Sequence, residues 1–189
     1  MYDTVIVGSG IAGLYSAYLI TKKDPNQSIV ILEKYSKPYI GGRASNRMFH
    51  GVSVVTGAGV VRKDKDTLLV DLIKTLKVPS HEFTSEHHYA PTIQPECHLK
   101  RAFLEIKRAY LQTDPRPRTT FKEFGISVLG KERYIHFVTC SGYTDYENED
   151  IHSTLYTYGF DDNFNSWNAM GVSWKTLVNE MVHCIGEKK

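Results

Sequence analysis

A hydrophobic run, Val5-Ile6-Val7, enters Gly8-Ser9-Gly10-Ile11-Ala12-Gly13, and twenty residues beyond Gly13 a second run, Ile29-Val30-Ile31-Leu32, ends in Glu33. Strand, G-x-G-x-x-G turn, helix, strand and terminal carboxylate make the arrangement that wraps one end of a dinucleotide. Each part has a physical task. Gly8 permits the sharp turn off the strand, Gly10 lets backbone approach a pyrophosphate, and Gly13 lets the new helix lie close to the sheet. The first N–H groups of that helix, at Ile11 and Ala12, face the phosphates with the favourable end of the helix dipole. Glu33 is placed to accept hydrogen bonds from ribose hydroxyls. A βαβ unit with so short a turn is parallel and right-handed.

The rest of the composition narrows the class. The chain has 189 residues, 41% hydrophobic and 23% charged, enough for one core or a core with a small second lobe. Its net charge of +2 gives no reason to invoke nucleic acid or a membrane surface. No apolar run approaches the roughly 18 residues of a spanning helix. The first strand begins almost at once, so no signal peptide is expected. Cys97, Cys140 and Cys184 are odd in number, widely spaced and in no C-x-x-C pair. They read as reduced thiols of an intracellular, cytoplasmic protein.

Along the chain, residues 2–7 read as a strand, 11–22 as its crossover helix and 28–33 as the second strand. Val52–Val55 is extended, and residues 64–77 form a helix whose Leu68, Leu69, Leu72, Ile73 and Leu76 share one face. Residues 80–98 read as irregular or extended, and 99–112 as helical. Thr120-Phe121-Lys122-Glu123 has capping-box spacing. Short helices are expected over 131–141 and 148–157, and a final one begins after Ser173 and stops at Gly186. The expected fold class is α/β: a Rossmann-like βαβ unit with a mostly helical second lobe. Its regions are 1–79 for the nucleotide, 80–170 for the helical lobe, and 171–189 for a helix returning to the first.

The opening motif alone does not separate NAD from FAD. Two later motifs do more. Gly41-Gly42-Arg43 lies where the chain returns from the ribose towards the pyrophosphate, with two glycines for close approach and a guanidinium for phosphate. Gly57-Ala58-Gly59 strips side chains from a second stretch, as laying backbone against a flat ring requires. Either motif alone also reads as an ordinary glycine turn. In this order after a βαβ unit they favour FAD, while a nicotinamide-binding domain of another oxidoreductase stays open.

On these residues, with Leu14, Leu32-Glu33-Lys34 and the helix ending at Leu76-Lys77-Val78, the sequence resembles the flavin-containing amine oxidases, the group of monoamine, L-amino-acid and polyamine oxidases. The resemblance is specific over residues 1–79 and extends less closely to Gly171–Val178. It implies FAD, with Ile11 and Ala12 giving N–H groups to the pyrophosphate and Glu33 holding the adenosine ribose. Lys34 contributes backbone beside it, Arg43 reaches the phosphate and ribityl region, and Gly57, Ala58, Gly59 and Val60 pass beside the isoalloxazine. It also implies oxidation of an amine with release of imine and peroxide.

Two departures qualify the resemblance. Amino-acid oxidases of the group often carry a substrate-binding arginine near Val60, whereas here the nearest is Arg62, so an amine is expected in preference to an amino acid. Family members run to roughly twice this length, and their second half carries the lysine near the flavin. No catalytic residue is therefore assigned. The chain reads as the N-terminal half of such an enzyme, completed by further polypeptide or by a second chain, or as a non-catalytic remnant.

Other constellations have plainer readings. His81, His87 and His88, with Cys97 and His98, lack a second matched ligand pair and read as solvated, so no metal is assigned. Tyr143, Tyr146, Tyr156, Tyr158, Phe160, Phe164 and Trp167 either line an amine pocket or form the core of the second lobe. No G-x-S-x-G elbow is present. Ser9 serves the turn and is not a nucleophile.

Overall fold

The structure, a computed structural model, describes residues 1–86, 88–92 and 97–186. Its backbone contacts divide the chain into two units, Met1–Thr84 with Asn168–Lys189, and Ser85–Trp167.

In the first unit, β1 (Thr4–Val7) pairs in parallel with β2 (Ile29–Leu32), Thr4 opposite Ile29 and Val7 opposite Leu32. The crossover is α1 (Ile11–Lys23), ended by Lys22 and Lys23 at the negative end of its dipole. A hairpin follows, β3 (Asn46–Phe49) against β4 (Val52–Val55). A three-stranded sheet has the order β5 (Val61–Arg62), β7 (Trp167–Val172), β6 (Ser80–Ser85). Between them lies α2 (Thr67–Thr75), and α7 (Trp174–Ile185) closes the unit by packing on α1. Leu14 and Tyr18 of α1, Val70 and Ile73 of α2, and Leu177, Val178 and Met181 of α7 are buried in one core.

Several sequence expectations move by a few residues, for local reasons. The helix expected over 64–77 begins only at Thr67, because the Asp66 carboxylate accepts from the Arg62 backbone N–H (2.9 Å) and guanidinium (2.7 Å), holding the preceding turn outside the helix. Residues 80–85, read as irregular or extended, are a strand. The strand β7 was not foreseen: Asn168 and Gly171 break the alternation that marks a strand in sequence. Gly171 is required there, since a Cβ would lie 2.2 Å from the His81 ring.

The second unit is helical, with α3 (Leu99–Gln112), α4 (Phe121–Leu129), α5 (Lys131–Ser141) and α6 (Ile151–Thr157). Both halves of the expected capping box form: the Thr120 hydroxyl accepts from Glu123 N–H at 3.1 Å, and the Glu123 carboxylate accepts from Thr120 N–H at 3.2 Å. Of the aromatic run, Tyr146 and Phe160 resolve as core. Phe121, Phe137, Tyr146 and Phe160 are buried together with ring centroids 4.9–6.2 Å apart, while Tyr143 and Tyr156 are exposed.

The cysteines correct the sequence reading. Cys97 and Cys140 form a disulfide, their Cα atoms 5.6 Å apart across a sequence separation of 43. Only Cys184 is a free thiol. The pair was invisible in sequence because the packing of α3 on α5 brings it together. His81 and His88 are exposed, as expected of solvated side chains, and His87 lies outside the described residues. Among the described residues no helix is long and apolar enough to cross a membrane.

Candidate functional site

The glycine turn sits between the C-terminal end of β1 and the start of α1, the position that open parallel sheets use for ligands. Gly8 has φ +94°, and its N–H donates to the Leu32 carbonyl at 2.7 Å, which ties the turn to the end of β2. A Cβ at Gly13 would stand 2.1 Å from the Gly8 carbonyl oxygen. Only glycine lets helix and turn meet so closely. Gly10 differs: a Cβ there would meet nothing within 4 Å. Its missing side chain serves the open space in front of the turn. Helix α1 starts at Ile11 with no acidic residue in its first turn, so the orphan N–H groups of Ile11 and Ala12 present uncompensated positive potential there.

Glu33 is fixed by the same turn. Its Oε2 accepts from the Ser9 backbone N–H (2.8 Å) and hydroxyl (2.6 Å), and its Oε1 accepts from Tyr35 N–H (3.0 Å). These bonds, the Ser9 hydroxyl first, hold the Glu33 carboxyl at about 2, well below its ordinary 4.5. Ser9, assigned to the turn alone from sequence, is the residue that orients this acid, and it is buried to 3% exposure. A small hydroxyl between the two glycines, ahead of a strand ending in a carboxylate, is the signal that could have found it. A cavity of about 290 Å³ adjoins, lined by Ser9, Glu33, Ile31, Ile40, Val182 and Ile185, the last two from α7.

The second motif comes to the first through backbone. Gly41 N–H donates to the Ser9 carbonyl at 2.8 Å, and Gly10 and Gly41 form a parallel bridge. Gly41 has φ +96°, and a Cβ on it would lie 2.5 Å from Val178 of α7. The third motif joins the second in turn. Ala58 N–H donates to the Arg43 carbonyl at 2.7 Å, and a Cβ at Gly57 would sit 2.1 Å from that oxygen. Gly57 is thus explained by Arg43 backbone, whereas a Cβ at Gly59 would meet nothing within 4 Å. The Gly59 carbonyl accepts from the Trp174 indole at 3.4 Å, and Val60 is exposed. The Arg43 and Lys34 side chains are exposed. Arg62 is held by Asp66 at 2.7 Å.

Gly8, Gly10, Ile11, Ala12, Gly13, Glu33, Gly41, Arg43, Gly57, Ala58 and Gly59 therefore form one continuous backbone ribbon, bonded Leu32–Gly8, Ser9–Gly41 and Arg43–Ala58. Such a ribbon offers N–H groups and open glycine faces along an extended ligand, the geometry a dinucleotide needs.

Comparison with known proteins agrees with this geometry. Residues 6–76 match the NAD(P)-binding Rossmann-like domain family. An uncharacterized protein of Acanthamoeba polyphaga mimivirus, R188, is 32% identical over 119 residues, 61% of this chain and 22% of that protein. A thiamine thiazole synthase of Sclerotinia sclerotiorum is 37% identical over 70 residues, 37% of this chain and 19% of that protein. Among solved structures, a putrescine oxidase redesigned in its cofactor binding superposes with a TM-score of 0.66 at 17% identity, covering 98% of this chain and 49% of that one. The chain thus spans about half the length of that structure and about a fifth of each of those two relatives. Over residues 6–76 it carries an NAD(P)-binding Rossmann-like domain, and the solved structure shares its fold over 98% of the chain.

Proposed function

We propose that the chain binds FAD by its ADP end and forms the nucleotide-holding part of an amine-oxidising flavoenzyme. The observation that carries this is the Gly41–Ser9 backbone bond of 2.8 Å. It lays Gly42 and Arg43 beside the glycine turn, extending the cradle past the pyrophosphate. The open Cβ positions at Gly10 and Gly59 leave room for the group along that line. Ile11 and Ala12 N–H groups bind the pyrophosphate, Glu33 the adenosine ribose, and Lys34 backbone lies beside it. Arg43 neutralises phosphate charge. Gly57, Ala58, Gly59 and Val60 border the ring. When bound, FAD supplies a two-electron acceptor for a hydride from carbon next to an amine nitrogen. An amine is favoured over an amino acid because Arg62 is committed to Asp66.

Further polypeptide, in a longer chain or a second one, completes the site. Val5, Val7 and Leu32 are 56%, 84% and 53% exposed on one face of the β1–β2 pair, apolar surface that parallel sheets normally cover on both sides.

Titration of the 189-residue chain with FAD, ADP and NADH, read by flavin fluorescence and calorimetry, tests the reading. Expected are weak FAD binding displaced by ADP, weaker NADH binding, and no amine-dependent peroxide. Tighter binding of NADH than of FAD overturns the flavin assignment in favour of a nicotinamide-binding domain. Anaerobic bleaching of a stoichiometric flavin by an amine overturns the need for further polypeptide.

A further inference from the structure

The second unit holds a cluster that the nucleotide site does not use. Cys97, His136 and Cys140 bring one ligand atom each to within 4.8 Å of one another. Cys97 lies just before α3, and His136 and Cys140 are one turn apart on α5, so a single helix face presents both. The His136 Nε2 is 3.6 Å from the Cys140 Sγ. Two ligands on a tetrahedral zinc, with Zn–S of roughly 2.3 Å and Zn–N of roughly 2.0–2.1 Å, stand about 3.6 Å apart. A disulfide has no need of an imidazole at this place, whereas a metal site does.

The surroundings favour the metal-bound state. Cys140 is buried to 2% exposure, while Cys97 and His136 are half-buried, so the site is protected yet reachable. A cavity of about 420 Å³, lined by His98, Arg101, Glu105, Arg133, His136 and Cys140, opens on it. Arg101 lines that cavity too, and the Arg133 guanidinium there is paired with Glu105 at 2.6 Å. Two thiolates then balance the charge of a divalent ion. Three protein ligands leave one coordination position facing that cavity, the pattern of zinc sites that keep a water or a small ligand.

The geometry points to a redox-gated zinc site: once the Cys97–Cys140 bond is reduced, both sulfurs and His136 bind one zinc ion, which the disulfide-bonded form does not hold. A dithiol reductant breaks the S–S bond, gives one hydrogen to each cysteine sulfur and leaves as its own cyclic disulfide. Zinc then displaces the two thiol protons to solvent.

The test uses the full chain, reduced under nitrogen with a phosphine, which consumes one water and leaves as phosphine oxide without competing for metal. Zinc is counted by mass spectrometry after dialysis, and affinity is read by competition with a chromophoric chelator. Cobalt in place of zinc reports thiolate ligation by its charge-transfer absorption. Expected are one zinc per reduced chain and none on the oxidised chain. Cys97→Ser and Cys140→Ser should lose binding, and His136→Gln should weaken it at least about tenfold. Cys184→Ser should leave it unchanged. Circular dichroism checks that the variants fold. Should the serine variants unfold, His136→Gln against the unsubstituted chain decides. Zinc binding no greater than that of the oxidised chain, or an affinity indifferent to His136→Gln, overturns the proposal.

Discussion

Gly13 and Gly10 lie three residues apart in the same motif, and the structure gives them opposite duties, so their alanine variants should fail in opposite ways. A Cβ on Gly13 lies 2.1 Å from the Gly8 carbonyl oxygen and 3.2 Å from Ile6 Cγ2, where side chains essentially never come within 3.0 Å. Helix α1 and the turn must part by about 1 Å. The turn has nowhere to retreat, since Gly8 N–H is bonded to Leu32 at 2.7 Å and Gly8 sits at φ +94°. Overpacking of this kind costs about 1–3 kcal/mol, at the upper end here because backbone rather than a flexible side chain is struck. Alanine's helix preference returns about 1 kcal/mol. The net loss for Gly13→Ala is about 2 kcal/mol, roughly 30-fold in the folding equilibrium.

Gly10→Ala meets nothing within 4 Å and keeps an ordinary φ of −67°. As a change at an N-cap it should cost under about 1 kcal/mol. Its Cβ instead occupies the space proposed for pyrophosphate. Losing one charge-assisted hydrogen bond there should weaken ADP and FAD binding about tenfold or more. Urea unfolding followed by Trp174 fluorescence measures the first effect, since Trp174 is buried in the same core as Leu14. Calorimetric ADP titration measures the second. Gly13→Ala unfolding at the unsubstituted midpoint, or Gly10→Ala binding ADP undiminished, would refute the reasoning.

Two further outcomes follow from side-chain contacts in the same unit. Because Glu33 titrates at about 2 when folded and near 4.5 otherwise, its bonds support the fold above pH 4.5, and that support fades as the pH falls towards 2. Ser9→Ala removes the largest cause, so the Glu33 carboxyl resonance, followed by carbon NMR, should titrate closer to 4.5; an unmoved titration would contradict the assigned hydrogen bond. Gly171→Ala drives a Cβ to 2.2 Å from the His81 ring. It should lower the melting temperature by several degrees, with His81→Ala restoring most of the loss. Absence of rescue would place the strain in the β7 backbone.

What the sequence made legible was whatever local physics decides. Helices α3 and α5 occupy the residues read as helical, and the Thr120–Glu123 capping box joins residues only three apart in the sequence. The βαβ unit was readable because its glycines answer to neighbours a turn away. Hidden features depended on chain segments far apart. The strand β7 exists because β5 and β6 flank it, and its own residues alternate poorly. Ser9 acquires its role from Glu33, 24 residues on. Gly57 answers to the Arg43 carbonyl, where the sequence offered a flat ring or an ordinary glycine turn as its reason. Cys97 met Cys140 only through helix packing, and two cysteines 43 residues apart carry no pairing signal of their own.

The split of the nucleotide unit between residues 1–84 and 168–189 has a consequence for the order in which the protein is made. On the ribosome the glycine turn, β1 and β2 emerge first, yet Leu14 and Tyr18 lack the Leu177, Val178 and Met181 that cover them. At about 5–20 residues per second, roughly 8–32 s separate Tyr18 from Leu177 of α7. In that interval residues 85–167 emerge whole and can settle around Phe121 and Phe160. The segment born first is therefore finished last, and its apolar helix face waits in the hands of whatever shelters nascent chains.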